Sequence, residues 1–128
     1  MSEYFLEFEK GGRFKVRLKE AEAPNTVAAF KKALPMEGGC LQARFAGDEF
    51  FFNADVDVSA ENAKEPYCGA LSFNCDPKWK AVCVYYGSNI KSASYNLFAE
   101  ITEDLEDLKK VGLRIWKQGE EKVVFKEV

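Results

Sequence analysis

Charged and apolar residues alternate strictly over residues 13–19, and this pattern constrains the fold more than any other feature of the chain. Successive side chains of a strand point to opposite faces, so the alternation predicts a strand with one face in a core and the other in water. A mostly apolar segment, residues 4–9, precedes it. Between the two lie Gly11 and Gly12, which can adopt the positive φ values of a tight turn. We therefore expect the chain to open with a β-hairpin.

Further short extended segments follow along the chain. They are rich in aromatic and β-branched residues, which favour strands, and the whole chain contains eleven Phe and five Tyr. The predicted strands are residues 41–45, 49–54, 69–73, 81–86, 94–101 and 121–127. Glu37, Gly38 and Gly39 resemble a turn before the first of these, and residues 55–66 resemble a surface loop that could shape the mouth of a site. The pattern predicts a mainly β protein.

Two helices interrupt the strands. In residues 24–35 Asn25 offers a cap, and Val27, Phe30 and Leu34 recur at helical spacing. The second helix is marked more clearly, because acidic residues follow a candidate cap at Thr102 and basic residues crowd the other end, as the helix dipole favours. Gly119 is expected to end this helix.

Length and charge limit the classes of function. A chain of 128 residues fits one domain, residues 1–128, with one core. The net charge is −3 and the basic residues are scattered, so we expect no nucleic-acid partner. No apolar run approaches the roughly 20 residues of a membrane span, and the N-terminus lacks the pattern of a cleaved leader. We expect a cytoplasmic protein with no membrane partner.

The cysteines indicate a reduced protein without a metal. Cys40, Cys68, Cys75 and Cys83 include no C-x-x-C pair, and the chain has no histidine. Structural zinc sites normally use close cysteine pairs, so we expect no metal ligands and no cofactor. We expect all four cysteines to be thiols.

Several strings resemble a known family. Residues 23–30, APNTVAAF, are similar to the opening of the first helix of cyclophilins. ARFAGDE at 43–49, YYG at 85–87 and EDLEDLKK at 103–110 complete a resemblance to the small cyclophilin-like domains of bacteria and archaea that have no assigned function. The resemblance extends from Tyr4 to Phe125. It implies a closed eight-stranded barrel capped by two helices.

The motif of the prolyl isomerases within that family is incomplete here. Arg44 stands where the family arginine would be, but Ala43 replaces the preceding histidine. The strand that follows has neither the family's glutamine nor its Gly-Gly pair, and both tryptophans, Trp79 and Trp116, lie outside the expected strings. We therefore expect negligible prolyl isomerase activity.

Arg44 is the leading candidate for a binding residue, because its planar fork of donors suits a carboxylate or another planar oxygen ligand. The alternatives are a solvent-facing arginine or one paired with Glu37 or Asp48. Other candidates near it are Phe50, Phe52, Asn53 and Tyr86. Core packing is the favoured role of the phenylalanines, because aromatic strand residues usually pack in a core, whereas structural hydrogen bonding explains Asn53 and Tyr86 as well as ligand binding does.

Other catalytic chemistry finds little support. The serines and cysteines have no histidine base, the acidic residues cluster at exposed positions, and no glycine-rich loop has phosphate-binding spacing. The favoured hypothesis is a module that binds a small acidic or amide-like molecule, or a short peptide, in a pocket on the side of the barrel. An enzyme of unfamiliar type using the same pocket is the first alternative. A subunit that docks onto a partner or forms a homo-oligomer is the second.

Overall fold

The structure is a computed structural model that describes residues 2–91 and 94–128. The strands within those residues are β1 Tyr4–Phe8, β2 Arg13–Leu18, β3 Met36–Gln42, β4 Gly47–Asn53, β5 Ala63–Lys64, β6 Ala70–Asn74, β7 Ala81–Ile90, β8 Tyr95–Glu100 and β9 Glu121–Glu127. The helices are α1 Pro24–Ala33 and α2 Leu105–Gln118, and a 3-10 turn covers Arg44–Ala46.

Eight of these strands close into an antiparallel barrel. The order is β2, β1, β9, β3, β4, β7, β6, β8, and pairing of β2 with β8 completes the ring. The two-residue strand β5 pairs with β8 beside β2. Closure leaves no open edge along the ring, which protects a β-rich chain from edge-to-edge association. The prediction of a closed eight-stranded barrel with two helices is confirmed.

The opening hairpin follows its sequence pattern. Phe14 and Val16 of β2 point into the barrel, whereas the charged residues that alternate with them, Arg13, Lys15 and Arg17, face solvent. Gly11 and Gly12 make the turn with φ values of 110° and 113°. This hairpin is local and strongly patterned, so its register follows from the sequence.

Aromatic rings fill the barrel, and the two helices cover it. Phe30 of α1 stacks on Phe98 with ring centroids 4.3 Å apart. Helix α2 packs so closely that a Cβ atom on Gly112 would lie 2.3 Å from the ring of Tyr86. Any side chain at position 112 would therefore displace the helix from the sheet.

The predicted turn at Glu37, Gly38 and Gly39 is wrong. Gly38 and Gly39 lie within the strand Met36–Gln42, because residues 36–40 pair with β9 near the other end of the chain. The predicted strand at 41–45 is correspondingly shifted, and Arg44 lies in the 3-10 turn rather than on a strand. The predicted strand 81–86 continues through Gly87 to Ile90, because Gly47 pairs with Ile90 across an irregularity in β4.

Gly119 ends α2 as predicted, but the predicted N-terminal caps of both helices are wrong. The residue before α1 is Ala23, and Asn25 lies inside the helix. The first backbone N–H groups of α1 are instead bound by a distant side chain, since Glu61 accepts hydrogen bonds from the Thr26 N–H at 2.6 Å and the Asn25 N–H at 3.3 Å. Helix α2 begins after Asp104, which has a φ of 58°, and not after Thr102.

The segment 55–66 is tied down at several points. Asn96 of β8 accepts a hydrogen bond from the Asn62 N–H at 3.1 Å and donates one to the Thr26 hydroxyl at 2.8 Å. Val56 packs into the barrel core. This segment, called the strap below, therefore seals one part of the core instead of forming a free surface loop.

Neither helix in the described ranges is long and apolar enough to cross a membrane. All four cysteines are thiols, as predicted.

Candidate functional site

An apolar groove lies on the outer face of the barrel, over β4 and β7. Its volume is about 280 Å³. The floor contains the small side chains of Ala81 and Cys83 on β7, with Phe51 of β4 beside them. Small residues between larger ones create the depression. The remaining lining residues are Ala43, Phe45, Ala46, Glu49, Asn74, Trp79, Lys91 and Tyr95.

Two exposed aromatic side chains stand at the ends of the groove. Phe45 precedes the start of β4 and is 88% exposed, and Trp79 lies beside the other end of β4 and is 53% exposed. Large apolar groups left in water beside an apolar depression are typical of interaction sites.

Arg44 holds the turn that presents Phe45. Its Nη1 atom donates hydrogen bonds to Asp48 Oδ1 at 2.9 Å and to the Tyr86 hydroxyl at 3.3 Å. The guanidinium carbon lies 4.1 Å from the centre of the Trp116 ring, in the geometry of a cation–π contact. The Arg44 guanidinium therefore already binds other groups of the protein, although 36% of its side chain remains exposed.

Tyr86 connects this turn to helix α2. Its hydroxyl donates a hydrogen bond to Gln42 Oε1 at 2.6 Å, and Gln42 Nε2 donates to the Gly112 carbonyl at 3.0 Å. Burial raises the pKa of Tyr86, and the nearby Arg44 guanidinium partly opposes that rise. Tyr86 remains a neutral hydroxyl that can both donate and accept.

At the other end of the groove, Asn53 supports the turn that carries Trp79, as Arg44 supports the turn that carries Phe45. Its Nδ2 atom donates a hydrogen bond to the Trp79 carbonyl at 2.6 Å. The Trp79 ring meets Phe51 edge-on, with centroids 6.4 Å apart. Asn53 and Phe51 together fix the turn that carries Trp79.

The structure thus brings three of the five predicted site residues into contact, because Arg44 and Phe50 both contact Tyr86. Phe50 stacks on the inner side of Tyr86 with ring centroids 5.9 Å apart. Phe52 is wholly buried in the barrel interior, and Asn53 lies at the far end of β4. None of the five is among the groove's lining residues, although Ala43, Phe45 and Ala46 on either side of Arg44 are.

Glu49 is a lining residue that sequence reasoning missed. It lies on the outer face of β4 opposite Tyr85, and it is only 4% exposed. Burial raises the pKa of the neighbouring Cys83 thiol, and the Glu49 carboxylate raises it further. The alternation of Glu49, Phe51 and Asn53 was visible in the sequence and could have indicated a shared outer face.

Comparisons with known proteins agree with this barrel. A family model described as Cyclophilin-like matches residues 4–124. No curated protein matches the sequence significantly.

Two solved structures are similar in fold. A structure described as McbB in complex with tryptophan superposes with a TM-score of 0.80 and 16% identity; the match covers 96% of this chain but only 44% of that one. The solution structure of the hypothetical protein AF2241 from Archaeoglobus fulgidus superposes with a TM-score of 0.71 and 28% identity, covering 98% of this chain and 93% of the other.

Proposed function

Because this chain belongs to the cyclophilin-like family over nearly its whole length, we propose that it is a binding module and that the outer groove is its site. The ligand is a small molecule, or one side chain of a short peptide, with an aromatic or other apolar body.

One observation carries the proposal: Phe45 and Trp79 remain exposed at the two ends of an apolar groove whose floor is made of small residues. Covering these rings with an apolar ligand would remove their surface from water, which is favourable by about 25 cal/mol for each Å² buried. The protein's own side chains leave the space between them open.

The size of the groove supports a small ligand. Its volume of about 280 Å³ is just below the range typical for drug-sized ligands, about 300–1,000 Å³, and so suits a smaller molecule. The McbB structure was determined in complex with tryptophan. Although identity at that level indicates only a shared fold, an indole ring is a reasonable first probe for a groove of this size.

The residues selected from the sequence support the groove in this proposal. Arg44 and Tyr86 position the turn that carries Phe45, while Asn53 positions the turn that carries Trp79. Phe50 and Phe52 form the packed layer beneath. Arg44 remains a candidate for direct contact with a ligand that extends beyond the groove, since part of its side chain is exposed.

Titration of the protein with indole, followed by NMR chemical shifts, tests the proposal. We expect shift changes at the groove residues and a dissociation constant on the order of 1 mM, as suits a fragment with about 4 kcal/mol of binding free energy. Phe45→Ala and Trp79→Ala should each weaken binding at least about threefold, because each removes one wall of the groove.

Leu41→Ala is the matched control. Leu41 is also an exposed apolar residue, but it does not line the groove. The control should bind indole like the native protein. Indole binding that is insensitive to both Phe45→Ala and Trp79→Ala, or binding with no shift changes at the groove, would contradict the proposal.

A further inference from the structure

The polar side chains of the groove differ in how easily a ligand can reach them. Besides its apolar and aromatic residues, the described lining contains Glu49, Asn74, Lys91 and Tyr95. Glu49 is only 4% exposed, whereas Lys91 is an exposed residue. Among the described lining residues, Lys91 is therefore the charged side chain that a ligand entering from solvent meets.

Lys91 lies at the Phe45 end of the groove. Its backbone N–H donates a hydrogen bond to the carbonyl of Ala46, another lining residue, at 2.8 Å. Within residues 2–91 and 94–128 its side chain forms no salt bridge. An ammonium group has three donors and no acceptor, so it can bind the oxygens of an anion.

Other basic residues near the groove are already paired. Arg44 donates to Asp48 at 2.9 Å, and the Lys80 ammonium, beside Trp79, lies 2.7 Å from an Asp57 oxygen. The carboxylates of the protein thus balance these two charges. The charge of Lys91 has no such balance within the described residues, and a ligand's anion would supply it.

Two neutral lining residues can also donate hydrogen bonds. Asn74 Oδ1 accepts a hydrogen bond from the Asp76 N–H at 3.1 Å, which leaves the two N–H donors of the amide for other partners. Burial raises the pKa of Tyr95, so it remains a neutral hydroxyl that can donate. These groups suit a ligand with oxygen acceptors.

We propose that the groove selects ligands in which an aromatic or other apolar body carries a carboxylate, with Lys91 as the charged partner. This inference rests on the proposed binding function of the groove and specifies its ligand class. The apolar body would cover Phe45, Phe51 and Trp79, as in the proposed function. Because Lys91 is exposed, solvent screens its attraction, so the preference should be modest and should weaken with added salt.

The net charge of the protein makes this preference diagnostic. The whole chain carries a formal charge of −3, so its long-range field favours a cationic ligand over an anionic one. Tighter binding of an anion would therefore require a local positive group at the groove.

Three indoles test the preference on the unmodified protein. Indole-3-propionate and indole-3-propionamide have nearly the same shape and differ in charge, whereas tryptamine carries an amine. At about 20 mM salt we expect the propionate to bind about threefold more tightly than the amide, and tryptamine to bind more weakly than the amide. In about 0.5 M salt the propionate and the amide should bind almost equally. Equal affinities at low salt, or tightest binding by tryptamine, would overturn the inference without requiring any variant to fold.

Substitutions of Lys91 identify the group responsible. Lys91→Gln removes the charge and keeps the backbone hydrogen bond to Ala46, so it should abolish the preference for the propionate while changing amide affinity less than about twofold. Lys91→Arg should keep the preference. Lys78→Gln is the matched control, because Lys78 is exposed and precedes Trp79 but does not line the groove. Persistence of the preference in Lys91→Gln, or its loss in Lys78→Gln, would overturn the inference.

The test separates the two proposals. If the propionate and the amide bind equally at low salt and Phe45→Ala weakens both, the groove is a binding site but Lys91 does not select its ligands. If Phe45→Ala and Trp79→Ala leave every titration unchanged, the groove is not the site and both proposals are wrong.

Discussion

The two faces of β4 differ in how completely the rest of the fold covers them. On the inner face, Phe50 and Phe52 are wholly buried, and Phe50 meets Phe8 edge-on with centroids 5.7 Å apart. On the outer face, Phe51 is half-buried and has Trp79 at one side and the open groove above it. Three identical residues in succession therefore have two different environments.

The residue type therefore does not decide the role of these phenylalanines. What decides it is whether other protein side chains cover the ring, as in a core, or leave it beside an open groove. The inner rings contact other protein side chains on all sides, so their removal would leave a cavity. The outer ring already borders a space that protein atoms do not fill. Substitutions on the inner face should therefore change stability, whereas substitutions on the outer face should change binding.

The largest expected effect is on stability, from Phe50→Ala. This change should reduce the free energy of unfolding by about 3–5 kcal/mol, since it removes a fully buried aromatic ring. Phe51→Ala should reduce it by only about 1 kcal/mol, because that ring is half-buried, while weakening indole binding. Urea unfolding of both variants measures the difference. Equal losses of stability would show that the outer face is packed as tightly as the inner one.

A smaller effect is expected from Arg44→Ala. Loss of the contacts with Asp48 and Tyr86 should loosen the turn that carries Phe45 and weaken indole binding about threefold, while stability falls by at most about 1 kcal/mol. Arg17→Ala is the matched control, since Arg17 also forms an exposed ion pair, with Glu100 at 3.7 Å. If both variants bind indole like the native protein, Arg44 does not position the groove wall.

Acid should weaken the attachment of the strap that seals the barrel. Hydrogen bonding to Thr26 lowers the pKa of Glu61 in the folded protein. A lowered folded-state pKa contributes stability above the unfolded-state value of about 4.3, and that contribution is lost as the pH falls through the lower value. Glu61→Gln should therefore be less stable than the native protein at pH 7, and the difference should shrink at about pH 3.

Urea midpoints at both pH values measure this effect, and Glu65→Gln on the same strap is the control. Indole affinity at pH 7 should be unchanged in Glu61→Gln. A difference in urea midpoint that stays constant with pH would argue against a role for the ionised Glu61 carboxylate.

The smallest expected effect is on prolyl isomerisation, where we predict no measurable catalysis. The chain has no histidine, and the strand after Arg44 lacks the glutamine and the paired glycines of the isomerase motif. A protease-coupled peptide assay at micromolar protein, with an authentic cyclophilin as the positive control, checks this. A rate comparable to the control would contradict this prediction.

Much of the fold could be predicted, but the groove could not. The hairpin at Gly11 and Gly12 was correct because its pattern and its turn residues are local. The candidate residues near β4 were drawn from the right strand, yet Phe50 and Phe52 lie on the inner face and Phe51 on the outer one. Neighbouring strand residues face opposite sides, so choosing the face requires knowledge of the strand pairing.

The contribution of Trp79 was also beyond the sequence patterns, and for Glu49 the alternation could indicate only a face shared with Phe51 and Asn53, not a place in a groove. Trp79 reaches the groove because its turn is fixed by Asn53, 26 positions away along the chain. Glu49 belongs to the groove because β4 pairs with β7, which places it opposite Tyr85. Neither long-range contact has a local signature.

The sequence by itself determined the β-rich class, the opening hairpin, both helices and the resemblance to cyclophilin-like barrels, because each depends on local spacing or on residue strings. Only the tertiary structure decided that Gly38 and Gly39 are strand residues, that Glu61 caps a helix far from it in the chain, and which face of β4 is open. These features depend on contacts between residues distant in sequence, and the free energy of such contacts is set by the packing of the whole barrel.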